Sequence, residues 1–165
     1  IKWVNNPKFI QAWKDGKTGF PVVDAAMREL NTIGYMHNRG RLIVSSLLIK
    51  ILQCDWRIGE KYFAQNLTDY DPLVNNGNWQ WGSGSGADSQ PYFRIFNPWT
   101  QSKKFDPNCV YIKKWIPELK SVNNKEIHQW DKYCANYKSI KYPCPITSYE
   151  IARKEIQEIY KKALN

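Results

Sequence analysis

Between residues 67 and 98 the chain reads LTDYDPLVNNGNWQWGSGSGADSQPYFRIFNP. Two acids, Asp69 and Asp71, stand just before Pro72; Asn75 and Asn76 follow, and Trp79 and Trp81 lie two apart. Few aliphatic residues interrupt them. Carboxylates and amides accept or donate hydrogen bonds to backbone or ligand, and indole faces stack on planar groups. A second cluster, His37, Asn38, Arg39 and Arg41, opens an apolar segment. Arginines at a helix N-terminus oppose its positive dipole end. The pattern therefore asks for an acid or an anion at that end: Asp69 as the internal candidate for Arg41, a phosphate as the external one for Arg39. The blander reading leaves both arginines solvated, and His37 is expected to be a structural hydrogen-bonding group. The chemistry open to this set is stacking, hydrogen bonding to a heteroaromatic ring, and phosphate contact.

Other chemistries fit less well. No serine sits in a nucleophile-elbow pattern. The GSGSG run at Gly82 to Gly86 is followed by ADSQ rather than by the Lys and Ser or Thr of a phosphate-binding loop. Asp69 and Asp71 could pair as acid and base, but no partner base is evident. The four cysteines, Cys54, Cys109, Cys134 and Cys144, show no CxxC spacing, and with two histidines no metal site is expected. Reduced thiols in an intracellular protein, cytoplasmic or nuclear, are the default expectation. The longest apolar run, residues 42–52, is broken by Ser45, Ser46 and Lys50, so no membrane span is expected.

The elements that must position these residues read as helices. Pro7 to Lys14 fits a short helix with Pro in its first turn. Pro21 opens a second, with Val22, Ala26 and Leu30 on one face and Gly34 as its stop. Residues 35–53 read as one buried helix. Asp55 caps a helix from Trp56 to Asn66, in which Trp56, Glu60 and Phe63 share a face, so Trp56 has a core reading. Residues 67–98 read as an ordered, Trp-lined loop, because disordered segments are poor in aromatics. Tyr111 to Pro117 gives one or two helical turns. Residues 120–146, with Pro143 and Pro145, read as a surface loop. Thr147 and Glu150 suggest a capping box for a last helix with the stripe Ile151, Ile156, Ile159 and Leu164. No strand or repeat is evident, and the fold class is all-α with long loops.

At 165 residues the chain is one domain's worth of sequence, with aromatics at 15% to supply both core and stacking surface. A net charge of +9 favours a polyanionic partner, nucleic acid first, although a lysine-rich solvated surface accounts for it equally well. Lys103 and Lys104 suit backbone phosphate contact.

Four motifs in order carry a resemblance: GKTGFPVVDAAMRELNTIGYMHNRGR, DWRIGEKYF, DYDPLVNNGNWQW and PYFRIFNPWTQSKKFDP. Together they closely resemble the C-terminal part of the FAD-binding domain of the DNA photolyase/cryptochrome family, from Trp3 to about Glu118 and more weakly through the final helix. The resemblance implies an all-α domain that binds FAD. It implies an electron relay of Trp3, Trp56 and Trp79, with Trp79 nearest the flavin and Trp3 nearest solvent. Asp69 and Asp71, with Tyr70 between them, match the residues lining the isoalloxazine edge, and Arg41 matches the partner of the first acid. Asn75 matches the residue facing flavin N5, where it tunes the redox states. Tyr35 stands near the adenine, where several bacterial members have Trp. Asn38 matches a position between flavin and lesion; Arg39, Leu42, Trp81 and Gln101 match contacts to the lesion or the DNA backbone. Trp81 would stack on a flipped-out pyrimidine dimer.

Asn75, where plant cryptochromes commonly have aspartate, and Asn38 and Leu42, where the (6-4) branch has histidines, place the resemblance closest to class I cyclobutane pyrimidine dimer photolyases. Leu42 departs from the Met of several bacterial members. The implied activity is light-driven repair of damaged DNA, with reduced FAD donating an electron to the dimer. Two alternatives stand beside it: a cryptochrome-like blue-light photoreceptor, and a flavin-free basic helical module that binds DNA regardless of damage. The resemblance also implies that the antenna domain and the first part of the FAD-binding domain lie outside these residues, in a separate N-terminal chain or segment. The chain alone is expected to bind FAD weakly or not at all and to be inactive.

Overall fold

The computed structural model describes residues 1–86 and 94–164, and among these it is helical without strands. In chain order the helices are α1 (Pro7–Lys14), α2 (Pro21–Ile33), α3 (Asn38–Ser46), α4 (Trp56–Asn66), α5 (Pro72–Ser83), α6 (Pro98–Phe105), α7 (Val110–Trp115), α8 (Asn124–Ile127), α9 (Trp130–Tyr133) and α10 (Tyr149–Leu164). α3 continues as a π-helical stretch, Leu47–Ile51.

α2 is the hub. Val22, Val23, Ala25, Ala26, Met27 and Leu30 are all buried, so its apolar surface extends well beyond one face. A helix buried on most sides needs partners on each, and α3, α6 and α7 supply them. Its first turn is organised by Asp24, which accepts from Thr18 N, Thr18 Oγ and Gly19 N at 2.9, 2.6 and 2.9 Å. Gly34 ends it with φ 70°, a left-handed stop that suits glycine. On the other side of α3 lie α4 and α5, packed against one another, and α10 backs the π-helical stretch.

Several expectations are corrected here. The stretch after Leu67 is not a loop throughout: Asp71 caps α5, Pro72 takes its first position, and Gly84 at φ 76° stops it. With Asn75, Asn76, Gly77 and Asn78 inside, no apolar period announces this helix. GSGSG is thus largely a helix end, with Gly84 N donating to Gln80 O and Trp81 O. Pro91, Tyr92 and Phe93 of the fourth motif lie outside the described residues. Residues 35–53 are not one regular helix: His37 Nδ1 accepts from Arg39 N at 3.1 Å, so α3 starts at Asn38. Residues 120–146 hold short helices and bury Val122, Ile127, Trp130 and Tyr142 rather than forming a surface loop. The last helix is preceded by Ser148, whose carbonyl accepts from Ala152 N, so the turn begins one residue after Thr147. Its buried stripe is Tyr149, Ala152, Ile156 and Tyr160, while Ile151 is 61% exposed. The tyrosines were the missing members of that pattern. Finally, Cys134 and Cys144 are joined in a disulfide, against the expectation of four reduced thiols; only Cys54 and Cys109 are free. The chain doubles back between them, which a spacing rule cannot see.

Candidate flavin site

The two arginines of α3 settle their dipole conflict differently. Arg41 donates from Nε to Met36 O at 2.6 Å and from Nη2 to both oxygens of Asp69, at 3.0 and 2.8 Å. Arg39 instead lays its guanidinium over the Phe105 ring, 4.6 Å from the centroid. That contact brings the last turn of α6, with Lys103 and Lys104, beside the start of α3. His37 serves as the structural cap expected of it.

The acids divide their work as well. Asp69 pairs with Arg41, whereas Asp71 accepts from Leu73 N and Val74 N at 2.9 and 3.0 Å and so starts α5. One turn on, Asn75 is buried, and its Nδ2 donates to Glu60 O and Glu60 Oε1 at 3.1 and 3.2 Å. Both amide hydrogens go to Glu60, so the carboxamide oxygen is what Asn75 can offer a ligand. Another turn on, Trp79 is 2% exposed. Its ring meets Phe63 edge-on at 4.9 Å and Trp13 at 6.1 Å. Gly59 makes room for it: a Cβ there would fall 2.1 Å from Trp79 Cη2. α4 and α5 can approach this closely only because that side chain is a hydrogen.

Between α3, the turn at residues 67–71 and α5 lies a cavity of about 290 Å³. Asn38, Arg41, Asp69, Tyr70, Asp71 and Asn75 line it with polar groups; Leu42, Phe63, Leu67 and Trp79 give it an apolar wall. Ligand pockets run from about 300 to 1,000 Å³, so this one has room for a flat ring system and not for a whole dinucleotide. Among the predicted site residues, the structure thus brings Asn38, Arg41, Leu42, Asp69, Tyr70, Asp71, Asn75 and Trp79 together.

The rest do not line it. Tyr35 is exposed, with Arg41 above its ring at 5.8 Å. Trp81 is half-buried on α5, and Gln101 is half-buried on α6 with its Oε1 buried and without a hydrogen-bond partner among the described residues. The segments that carry Trp3 and Trp56 are tied to one another by backbone bonds. Val4 N donates to Gln53 O at 2.9 Å, and Asp55 N donates to Asn5 Oδ1 at 2.8 Å, which straps the segment after Trp3 against the residues before Trp56. Asp55 caps α4, whose first residue is Trp56, and Gly59 in the same helix carries Trp79. Trp56 is half-buried and packs against the core. Among the described residues Trp79's close ring partners are Trp13 and Phe63 rather than Trp56.

Sequence reading missed Ser45, Phe63, Leu67 and Asn78 as cavity residues and Glu60 as the holder of Asn75. Glu60 was visible only as a polar member of an otherwise apolar face.

A family model described as the FAD binding domain of DNA photolyase matches residues 1–162. The chain belongs to this family. Its sequence is 53% identical to a deoxyribodipyrimidine photo-lyase of Buchnera aphidicola subsp. Acyrthosiphon pisum over 99% of this chain and 34% of that protein. It is 48% identical to the Escherichia coli deoxyribodipyrimidine photo-lyase over 99% of this chain and 35% of that one. An archaeal photolyase from Sulfolobus tokodaii, solved with two FAD molecules, superposes with a TM-score of 0.90 at 45% identity, covering 98% of this chain and 36% of that one. A Synechocystis cryptochrome superposes with 0.89 at 38% identity, covering 96% and 34%. The chain spans about a third of the length of the curated relatives it matches. The helical FAD-binding fold of the photolyase/cryptochrome family is therefore its fold, and FAD is the cofactor of that domain family. The residues present fit a flavin ring: carboxylates, amides and an arginine on the polar rim, and an indole and a phenyl behind. Among the described residues no group of three or more His, Cys, Asp or Glu is placed to hold a metal, and no helix is long and apolar enough to cross a membrane.

Proposed function

We propose that this chain forms one wall of the flavin pocket of a cyclobutane pyrimidine dimer photolyase, acting on damaged DNA. The observation that carries the reading is the cavity whose polar rim is held by Arg41–Asp69 and by Asn75 on Glu60, against a wall that includes Trp79. Bound FAD supplies the light-driven electron chemistry. Asp69, Tyr70, Asp71 and Asn75 orient the ring's polar edge, and Asn75 presents a carboxamide oxygen as acceptor toward flavin N5. Trp79 keeps water from the ring's inner side and would end an electron path that runs inward from Trp3 through Trp56. Tyr35 lies toward the adenine. Asn38 and Leu42 bound the cavity where a lesion base would approach. Arg39, with Lys103 and Lys104 drawn close through Phe105, supplies positive charge for the DNA backbone, while Trp81 and Gln101 contact the extruded dimer. The other walls come from a further photolyase segment, in the same polypeptide or in another chain. The cavity's size supports this, because it takes the ring alone.

The test joins the chain to such a segment and follows a dimer-containing oligonucleotide under blue light. Repair that needs light and is lost in Trp79→Phe only when the flavin must first be photoreduced is the expected result. Binding to dimers without splitting them would support a photoreceptor, a reading that rests on the lower, 38% identity to a cryptochrome. Binding that is equal for damaged and undamaged DNA, with no flavin retained, would leave only a basic helical module.

A further inference from the structure

We propose that Cys134 and Cys144 are a reversible thiol–disulfide site that locks residues 142–146 onto the start of α2. The bridge closes a loop ten residues apart in sequence, with the Cα atoms 5.5 Å apart. The residues flanking Cys144 are laid on the start of α2, on its approach and on α9. Tyr142 donates its hydroxyl to Asp24 Oδ2, at the centre of the first-turn network. Pro143 O accepts from Trp130 Nε1 at 2.9 Å, and Ile146 N donates to Thr18 O at 2.9 Å. At Gly19, φ 80°, a Cβ would fall 2.4 Å from the carbonyl carbon and oxygen of Cys144, so the two backbones touch there.

The bridge is open to exchange, whereas the other thiols are not. Cys144 is exposed and Cys134 half-buried. Both line a cavity of about 340 Å³ with Trp99, Asp131, Tyr149 and Glu150, large enough to admit a small thiol. Cys54 and Cys109 are fully buried, and burial pushes each thiol up to about 11. Thiol reactivity follows thiolate character and access, which separates the two pairs. The exchange balances with a small-molecule disulfide. Cys144 thiolate attacks one of its sulfurs and releases one small thiol; Cys134 thiolate then attacks the Cys144 sulfur and releases the second. The protein pair is oxidised, the small disulfide is reduced to two thiols, and the two protons leave with them. Reduction runs the same steps backward.

The experiment incubates the purified chain, native, in glutathione buffers from oxidising to reducing, then alkylates free thiols, maps them and follows melting and trypsin cleavage. Cys134 and Cys144 are expected to gain label together as the buffer becomes reducing, with Cys54 and Cys109 unlabelled until unfolding. Reduction lowers the melting temperature by on the order of 5–10 °C and speeds cleavage at Lys138 and Lys141 by about tenfold. The double variant C134S/C144S should melt like the reduced chain and ignore the buffer. Label on Cys134 and Cys144 in every buffer, reduction only after unfolding, or equal melting and cleavage in both states would overturn the proposal. If the double variant does not fold, the native labelling and cleavage of the unaltered chain decide.

Discussion

α3 and the π-helical stretch that prolongs it are one continuous element with two opposite ends. The front, from Asn38 to Ser45, lends Asn38, Arg41, Leu42 and Ser45 to the cavity and leaves much of its surface polar. The rear, Leu47 to Ile51, is buried at all five positions, including Lys50, whose ammonium sits 3.7 Å from the centre of the Tyr160 ring. Leu52 N bonds to Leu47 O at 2.9 Å, five residues back, which inserts an extra residue into the turn. The rear is held by packing on α4, α5 and α10; the front adds the polar bonds of Arg41 to the packing of Ile43 and Val44. The contrast teaches that the cavity's α3 residues are carried on an element anchored at its buried rear. Arg41 and Asn38 share that element with the fully buried Leu48.

Four substitutions would break or sharpen that contrast. Leu48 is fully buried, and its Cδ2 lies 2.8 Å from where a Cβ on Gly59 would stand, beside the Trp79 ring. Leu48→Ala is expected to cost about 3 kcal/mol, read by chemical denaturation, far more than Leu42→Ala at the half-buried front. Equal costs at the two positions would end the idea of a rear anchor.

Lys50 gives the next effect. Burial lowers its pKa from 10.5 to about 7. The native state therefore sheds this proton first, and between those values the unfolded chain binds more protons. Stability from this group rises as pH climbs from 7, by about 2 kcal/mol by pH 9. Melting curves of the unaltered chain should show that rise and those of Lys50→Met should lack it; a slope shared by both would assign it elsewhere.

The smallest stability change belongs to the front. Arg41 and Asp69 have side chains 26% and 49% exposed. Arg41→Ala should cost about 1 kcal/mol or less, while flavin uptake by the chain joined to a photolyase segment falls. A large loss of stability with flavin uptake intact would reverse the roles given to the two ends.

Much of this was legible in the residues. Pro7, Pro21 and Asp55 mark helix starts because a fixed φ, or a carboxylate that takes orphan N–H groups, belongs only there. Gly34 marks a stop for its left-handed φ, and the pairing of Arg41 with Asp69 follows from a cation at the wrong end of a dipole. Four ordered motifs were enough to find the family. α5 was hidden because its interior is asparagine and glycine, chosen for the cavity and for Glu60 rather than for helix propensity. Residues 120–146 were hidden because Tyr142 buries its ring by reaching Asp24 at the start of α2 and Trp130 packs its ring against Tyr142, contacts with no local period.

What the sequence determined alone was therefore the helical class, the bounds of α1, α2 and α4 and the chemical character of the residues concerned, since caps, turns and side-chain chemistry act over a few residues. What only the tertiary structure decided was which residues share the cavity, that Gly59 yields its space to Trp79, and that Cys134 meets Cys144. Those depend on the path of the chain between them, and contacts across tens of residues leave no mark on neighbouring letters.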